Sequence, residues 1–178
     1  VKTLAHIRRF IWSRALPKTG QIISYVDDDD GYNEFGWWRG LYNVDNKNRF
    51  IEKTIGGDDV VIDLATGLMW AADGNAAGCN NGSVITWANA ISYCETLSFA
   101  GLSDWYLPNI KELLSIADFG LQSPAIKEPP FSNTVTDYWS STTNISSTTY
   151  ALKVSFAIGL IVSIIKTGTM DLRACRIL

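Results

Sequence analysis

Val60-Val61-Ile62-Asp63-Leu64-Ala65-Thr66-Gly67-Leu68-Met69-Trp70 is the stretch on which the reading of this chain turns. Val60–Asp63 is rich in β-branched residues and reads as a strand. Ala65-Thr66-Gly67 is a turn, and Leu68-Met69-Trp70 reads as a second, buried strand closing a hairpin. Downstream, Asp73–Ser83 is a loop rich in glycine and asparagine. Thr86 caps a helix through Leu97 whose apolar face carries Trp87, Ala90, Ile91, Cys94 and Leu97. Leu102–Leu107 is short, aromatic and strand-like. Pro108-Asn109 opens a helix over Ile110–Ala117, with Ile110, Leu113, Leu114 and Ile116 or Ala117 as its apolar stripe, and Gly120–Pro130 is a proline-bearing loop.

Upstream of the hairpin, Val1–Arg14 has helical spacing, and residues 1–15 form a helical extension to a single domain spanning 1–178. This segment lacks the long apolar core and cleavage site of a signal peptide. Leu16–Gln21 is a turn, followed by a short strand at Ile22–Val26. Asp27, Asp28, Asp29 and Asp30 are weak metal candidates. Their spacing is not that of an EF-hand, and mutual repulsion favours a solvated loop. Phe35, Trp37 and Trp38 could plug a core edge or stack on a sugar.

The 178 residues are 47% hydrophobic and 19% charged, which excludes disorder and fits one α+β domain with a β-rich C-terminal half. A net charge of −3 supplies no basic field for nucleic acid. No stretch reaches the ~18 apolar residues of a membrane span; the longest, Ala151–Ile165, is broken by Lys153, Ser155 and Gly159. A single histidine, His6, and three cysteines without ligand spacing argue against zinc and against histidine catalysis. Cys79 and Cys94 are the nearest candidates for a bridge, which sequence cannot decide. There is no phosphate loop and no Gly-x-Ser-x-Gly. Asp104 and Glu112 could be imagined as an acid pair, but nothing makes them converge: Asp104 reads as a structural carboxylate beside Trp105, and Glu112 as lying on the exposed side of its helix. The expectation is a protein without catalysis, cofactor or metal.

From Tyr138 to Leu178 the only charged residues are Lys153, Lys166, Asp171, Arg173 and Arg176. Leu152, Val154 and Phe156 alternate with Lys153, Ser155 and Ala157 at strand spacing. After Gly159, Leu160-Ile161-Val162-Ser163-Ile164-Ile165 runs on without alternation. Either this strand is buried on both faces, or it belongs to a hairpin whose outer face has become an apolar contact surface.

Five ordered motifs carry a resemblance. They are Asp63–Trp70, Thr86-Trp87-Ala88-Asn89-Ala90, Gly101–Leu113, Tyr138-Trp139-Ser140-Ser141-Thr142, and Arg173-Ala174-Cys175-Arg176. In order and spacing they resemble the bacterial domain of unknown function at the C-terminus of the Legionella collagen-like adhesin. The resemblance implies a C-type-lectin-like fold related to the formylglycine-generating enzyme, without that enzyme's catalytic cysteines. Two helices would flank a small mixed or antiparallel sheet, the chain termini would meet, and Arg173–Leu178 would pair with an N-terminal strand. Trp70, Trp105, Trp139, Arg173 and Arg176 would be scaffold. The chain departs from the family pattern at Tyr106, where arginine is usual, and at the turn Ile55-Gly56-Gly57-Asp58-Asp59.

The C-terminal hairpin departs further and resembles the variable proteins of diversity-generating retroelements, in which adenines of the 3′ coding segment are randomised. Asparagine codons randomised at two adenines yield Ile, Ser, Ala, Leu, Val, Gly and Thr, the types seen here, whereas Met170 needs another parental codon. That resemblance implies a variable region within 138–178 with ligand-binding positions at Asn144, Ser146, Thr149, Tyr150, Leu152, Ser155, Ala157, Ile158, Leu160, Val162, Ser163, Ile164, Ile165, Gly168 and Thr169. Val154, Phe156, Gly159, Lys166, Arg173 and Arg176 would stay as scaffold. The implied partner is a protein or glycan, met by a domain displayed on a cell or virion. The alternative is an invariant adhesin-like lectin domain for glycans or glycosaminoglycans, which net acidity disfavours mildly.

Overall fold

The computed structural model describes residues 17–33 and 49–178, which form a mixed α+β fold with three small antiparallel sheets and few helices. The first sheet has the order β1-β2-β3-β9, from Phe50–Ile55, Asp58–Asp63, Leu68–Ala71 and Cys175–Ile177. Gly56 and Gly57, at φ +62° and +94°, join β1 to β2. A two-residue hairpin turn that matches strand twist needs positive φ at both positions, which glycine adopts freely. Between β2 and β3 the turn is organised by Asp63, which is fully buried. Its carboxylate accepts from the Ala65 N–H at 2.9 Å, the Thr66 hydroxyl at 2.8 Å, and the Arg49 Nε and Nη2 at 2.8 and 2.7 Å. A buried charge is tolerable only when paired and hydrogen-bonded in this way.

Helix α1 is a single turn at Asp30–Asn33, α2 spans Trp87–Thr96 and α3 spans Ile110–Ser115. On α2, Ala90 and Cys94 face a core shared with Val60, Phe99, Trp105, Trp139 and Leu172. Thr86 occupies the N-cap position but its hydroxyl makes no capping bond. On α3, Asn109 accepts from the N–H groups of Lys111 and Glu112, and Glu112 accepts from the Asn109 N–H, a complete capping box. Leu113 seats the helix in a second core with Val61, Trp70, Phe131, Tyr138 and Phe156.

Two expected strands are absent. Ile22–Val26 is irregular, with Ile22, Ile23, Tyr25 and Val26 exposed. Asp29 takes the Tyr25 N–H at 2.8 Å, folding the segment onto its own carboxylate instead of a sheet. Leu102–Leu107 contributes only isolated bridges, Phe99 with Leu102 and Tyr106 with Cys175. The expected helix at Val1–Arg14 and the residues Phe35, Trp37 and Trp38 lie outside the described residues.

The C-terminal sheet has the order β5-β6-β7, from Asp137–Thr143, Tyr150–Ser155 and Leu160–Ile165. Strands β4 (Ile85–Thr86) and β8 (Thr169–Met170) make a two-stranded sheet beside it. Strands β5 and β6 lie between the two cores: Trp139 and Ala151 enter one, Tyr138 and Val154 the other. Simple alternation placed Lys153 outside; instead it is 8% exposed and pairs with Asp137 at 2.8 Å. A strand covered on both faces has no outside, so its lysine must find an acid.

Residues 171–175 tie the sheets together. The Trp139 N–H donates to the Asp171 carbonyl at 2.9 Å, the Ala174 N–H donates to the Gly78 carbonyl at 2.9 Å, and the Ala71 N–H donates to the Ala174 carbonyl at 3.2 Å. Arg173 is fully buried, and its Nη1 donates to the carbonyls of Ala71 and Ala72 at 2.6 and 2.7 Å. The expected pairing of the C-terminal strand with an N-terminal one is corrected: β9 pairs with β3, on the edge opposite β1. The turn before β3 is tight enough for Leu178 to donate to the Gly67 carbonyl, which draws the last strand to that edge.

Arg173→Ala is expected to cost about 3 kcal/mol or more in urea denaturation: it takes the Arg173 donor from the buried Ala71 carbonyl, at about 1–3 kcal/mol, and empties the space of a large, fully buried side chain. Phe156→Ala is expected to cost roughly 3–5 kcal/mol through cavity formation.

Candidate functional site

The β6–β7 hairpin and its flanking turns are where sequence reasoning put the site. None of the fifteen positions from Asn144 to Thr169 named as ligand-contacting is buried. Leu160 is 51% exposed, Val162 39% and Ile165 44%, while the interleaved Ala151, Val154 and Phe156 are fully buried. Ile158, Ser146, Thr149, Tyr150, Ser163 and Thr169 are exposed, and Asn144, Leu152, Ser155, Ala157, Ile164 and Gly168 are half-buried. A strand buried on both faces is therefore not what Leu160–Ile165 forms.

These positions do not share one face. Tyr150 lies opposite Ile165 and Leu152 opposite Ser163, while Ala151 lies opposite Ile164, Lys153 opposite Val162 and Ser155 opposite Leu160. Directly opposed residues of an antiparallel pair project to the same side, and neighbours along a strand alternate. One face thus carries Tyr150, Leu152, Ile161, Ser163 and Ile165, the other Ser155, Leu160, Val162 and Ile164. Strand β7 stands at the sheet edge, and apart from Ile164, which packs against the first core, its side chains are exposed on both faces. Ile161, 46% exposed, belongs to the patch although sequence reasoning omitted it; its place in the same uninterrupted run was the available signal.

The hairpin is fixed at both ends. At the turn, Phe156 is fully buried and makes an edge-to-face contact with Tyr138 at 5.5 Å. Its N–H and carbonyl are bonded to Thr136 and Ala125. Gly159 takes φ +70° against Phe119 and Ala125. At the far end the Lys166 ammonium sits 3.9 Å over the Trp87 ring and donates to the Thr143 hydroxyl at 2.8 Å. Trp87 Nε1 donates to the Ser140 carbonyl and Trp139 Nε1 to the Ile85 carbonyl, each at 2.8 Å. Asn144 Nδ2 donates to Ser163 Oγ at 2.8 Å, fastening the β5–β6 loop to the exposed strand. The Lys166–Trp87 contact was invisible in sequence, because nothing local relates residues so far apart.

The other chemical candidates are engaged in structure. Asp104 receives Arg176 Nε at 2.7 Å and Nη2 at 2.8 Å. Glu112, expected on the exposed side of its helix, is half-buried; one oxygen caps α3 and the other accepts from the Tyr106 hydroxyl at 3.1 Å. Tyr106, where the resemblance implies arginine, is thereby partnered through its hydroxyl. Asp29 binds the N–H groups of Tyr25 and Tyr32 at 2.8 Å each, and the first of these leads in holding its carboxyl below the ordinary 3.8. Asp30 accepts from the Thr19 hydroxyl. Among the described residues no three His, Cys, Asp or Glu side chains converge on a metal position. No helix is long and apolar enough to cross a membrane among them. Cys79, Cys94 and Cys175 are free thiols, all buried, so the considered Cys79–Cys94 bridge is not formed. Burial pushes Cys79 up to about 11 and Cys94 up to about 12.

A family model described as the Lcl C-terminal domain matches residues 59–176, from β2 through β9, and takes in the whole hairpin. No curated protein matches the chain.

Two outcomes are expected. The Arg176 guanidinium holds the Asp104 carboxyl below its ordinary 3.8. A depressed folded pKa stabilises above the unfolded value and is lost as pH falls through the folded one. Asp104→Asn should therefore melt slightly below the parent at neutral pH, the gap closing in acid; melting curves across pH check this. The three thiols should resist alkylation in the native state and label fully in denaturant, because the thiolate is the nucleophile.

Proposed function

Because the chain belongs to the Lcl C-terminal domain family, which is associated with adhesin-like proteins, we propose that it is a non-enzymatic ligand-binding domain with a C-type-lectin-like fold. Its C-terminal hairpin is the contact surface, diversified by a retroelement that randomises adenines in the coding segment. One observation carries the reading. Each of the fifteen positions that the resemblance implies as ligand-binding is at least partly exposed, whereas Ala151, Val154, Phe156 and Gly159 among them are buried. Exposed sites tolerate substitution within about ±0.5 kcal/mol, so many residue combinations can occupy them on one scaffold. Apolar residues there contribute to binding when a ligand removes them from water, at about 25 cal/mol per Å² before association costs. Uncovered, a cluster of this kind is the usual mark of an interaction surface.

The test has a genetic and a physical arm. The neighbouring DNA should hold a near-copy of the 3′ coding segment differing only at adenines, beside a reverse transcriptase gene. The combined change Leu160→Asn, Val162→Asn and Ile165→Asn should shift stability by no more than about 0.5 kcal/mol per site. A loss of several kcal/mol, or a coding region without a template copy, would remove the diversified-surface reading.

A further inference from the structure

We propose that the ligand of this surface is a polypeptide bound as an added strand on the open edge of β7, through an extended segment without charge. The proposal rests on the hairpin being the contact surface and specifies how it makes contact. The Lys166 N–H donates to the Thr149 carbonyl at 2.9 Å, while the Tyr150 N–H and carbonyl are bonded within the β5–β6 turn, to Ser147 and Asn144. The Leu152 carbonyl likewise turns towards β5, where it accepts from the Ser140 hydroxyl at 2.6 Å. Backbone groups of an antiparallel strand alternate in direction. Ala151, Lys153 and Ser155 therefore bond Ile164, Val162 and Leu160, and the N–H and C=O groups of Ile161, Ser163 and Ile165 point outward. Of these, only the Ile165 carbonyl has a partner among the described residues, the Gly168 N–H at 3.0 Å.

Proteins ordinarily blunt such an edge with lysine, proline, a bulge or a covering element. Strand β7 has none of these: six residues, uncharged, without proline and paired to β6 without a break. Charge complementarity selects the occupant. Lys153 is neutralised by Asp137 and Lys166 is held over Trp87. The six residues of the edge thus carry no charge of their own, and the one cation beside them, Lys166, is turned away onto Trp87 and Thr143, which favours an uncharged segment over an acidic or basic one or a sulfated glycan. A saturated ladder needs an alternating row of donors and acceptors, which an extended backbone supplies and a sugar does not. The division of labour suits a diversified surface. The backbone edge is independent of side-chain identity and supplies affinity, while varied side chains on both faces of β7 read the alternate residues of the incoming strand.

The probe is a library of linear peptides panned on the full chain, with synthetic winners measured by calorimetry. Selected peptides should be uncharged and β-branched. Ser163→Pro deletes one outward N–H without touching the β6 ladder, since that N–H faces solvent. It should weaken binding by roughly tenfold or more and lower the melting temperature only by what the exposed Asn144 bond contributes, while Ser163→Ala, which loses that same side-chain bond but keeps the N–H, should melt like Ser163→Pro and bind like the parent. N-methylation of alternate peptide residues gives an independent arm on the unaltered protein, and should be similarly damaging in one phase of alternation only. Peptides that tolerate N-methylation and Ser163→Pro but are lost on Leu160→Asn and Val162→Asn would overturn strand addition and leave the contact surface standing. Glycan binding on an array without any peptide binding would overturn it also. Ligands indifferent to every hairpin substitution would instead remove the proposed function itself.

Discussion

The guanidinium of Arg173 is the constraint on which the rest of the structure depends. It is wholly buried with no carboxylate paired to it among the described residues, and its charge is met by dipoles: the carbonyls of Ala71 and Ala72, the Thr134 hydroxyl, and the faces of Phe131 and Tyr138 at 5.2 and 5.4 Å. A buried charge demands that every such partner stay in place. The end of β3, the start of β5 and the loop before β5 are thereby held against one another. Residues 171–175 complete this from the backbone, with bonds to β5, to Gly78 and to Tyr106. Gly78 is part of the fit: a Cβ there would stand 2.5 Å from the Ala71 methyl. Residues 171–175 thus join the sheets, and the hairpin just before them is left at the perimeter.

That arrangement separates the residues that hold the fold from those that project beyond it. Trp139, Ala151, Val154 and Phe156 take their stability from two cores, and the side chains that project past them touch little. The C-terminal hairpin therefore combines an inner strand in which Ala151, Lys153 and Val154 are held by burial with an outer strand most of whose side chains are exposed.

Much of this was legible before any coordinates. The Val60–Trp70 hairpin, the α2 face of Ala90, Cys94 and Leu97, and the start of α3 at Asn109 follow from local rules, because their signals and their consequences lie within a few residues. What escaped was non-local. Ile22–Val26 has strand composition, yet Asp29 captures its backbone. Lys153 obeys alternation in sequence but faces the acid of a neighbouring strand. The hairpin positions named from sequence are exposed or half-buried, although exposed Ile145 and Ile161 were not among them. Their division between two faces was not legible, since it depends on β7 ending the sheet, and the order of strands in a sheet is written in no single segment.

The pegs at the two ends of the hairpin carry a last consequence. A strand covered on one face is held in register by burial, because a slip of one residue would turn its apolar set outward. Strand β7, with only Ile164 packed against a core, gains little from that safeguard: slipped and unslipped pairings would look nearly alike to water. Its alignment must come from outside its own sequence, from Phe156 and Gly159 locked into the turn and from Lys166 clamped on Trp87. The six residues between are relieved of any part in choosing their alignment. Novelty can accumulate there without the chain losing count of where each new side chain will stand.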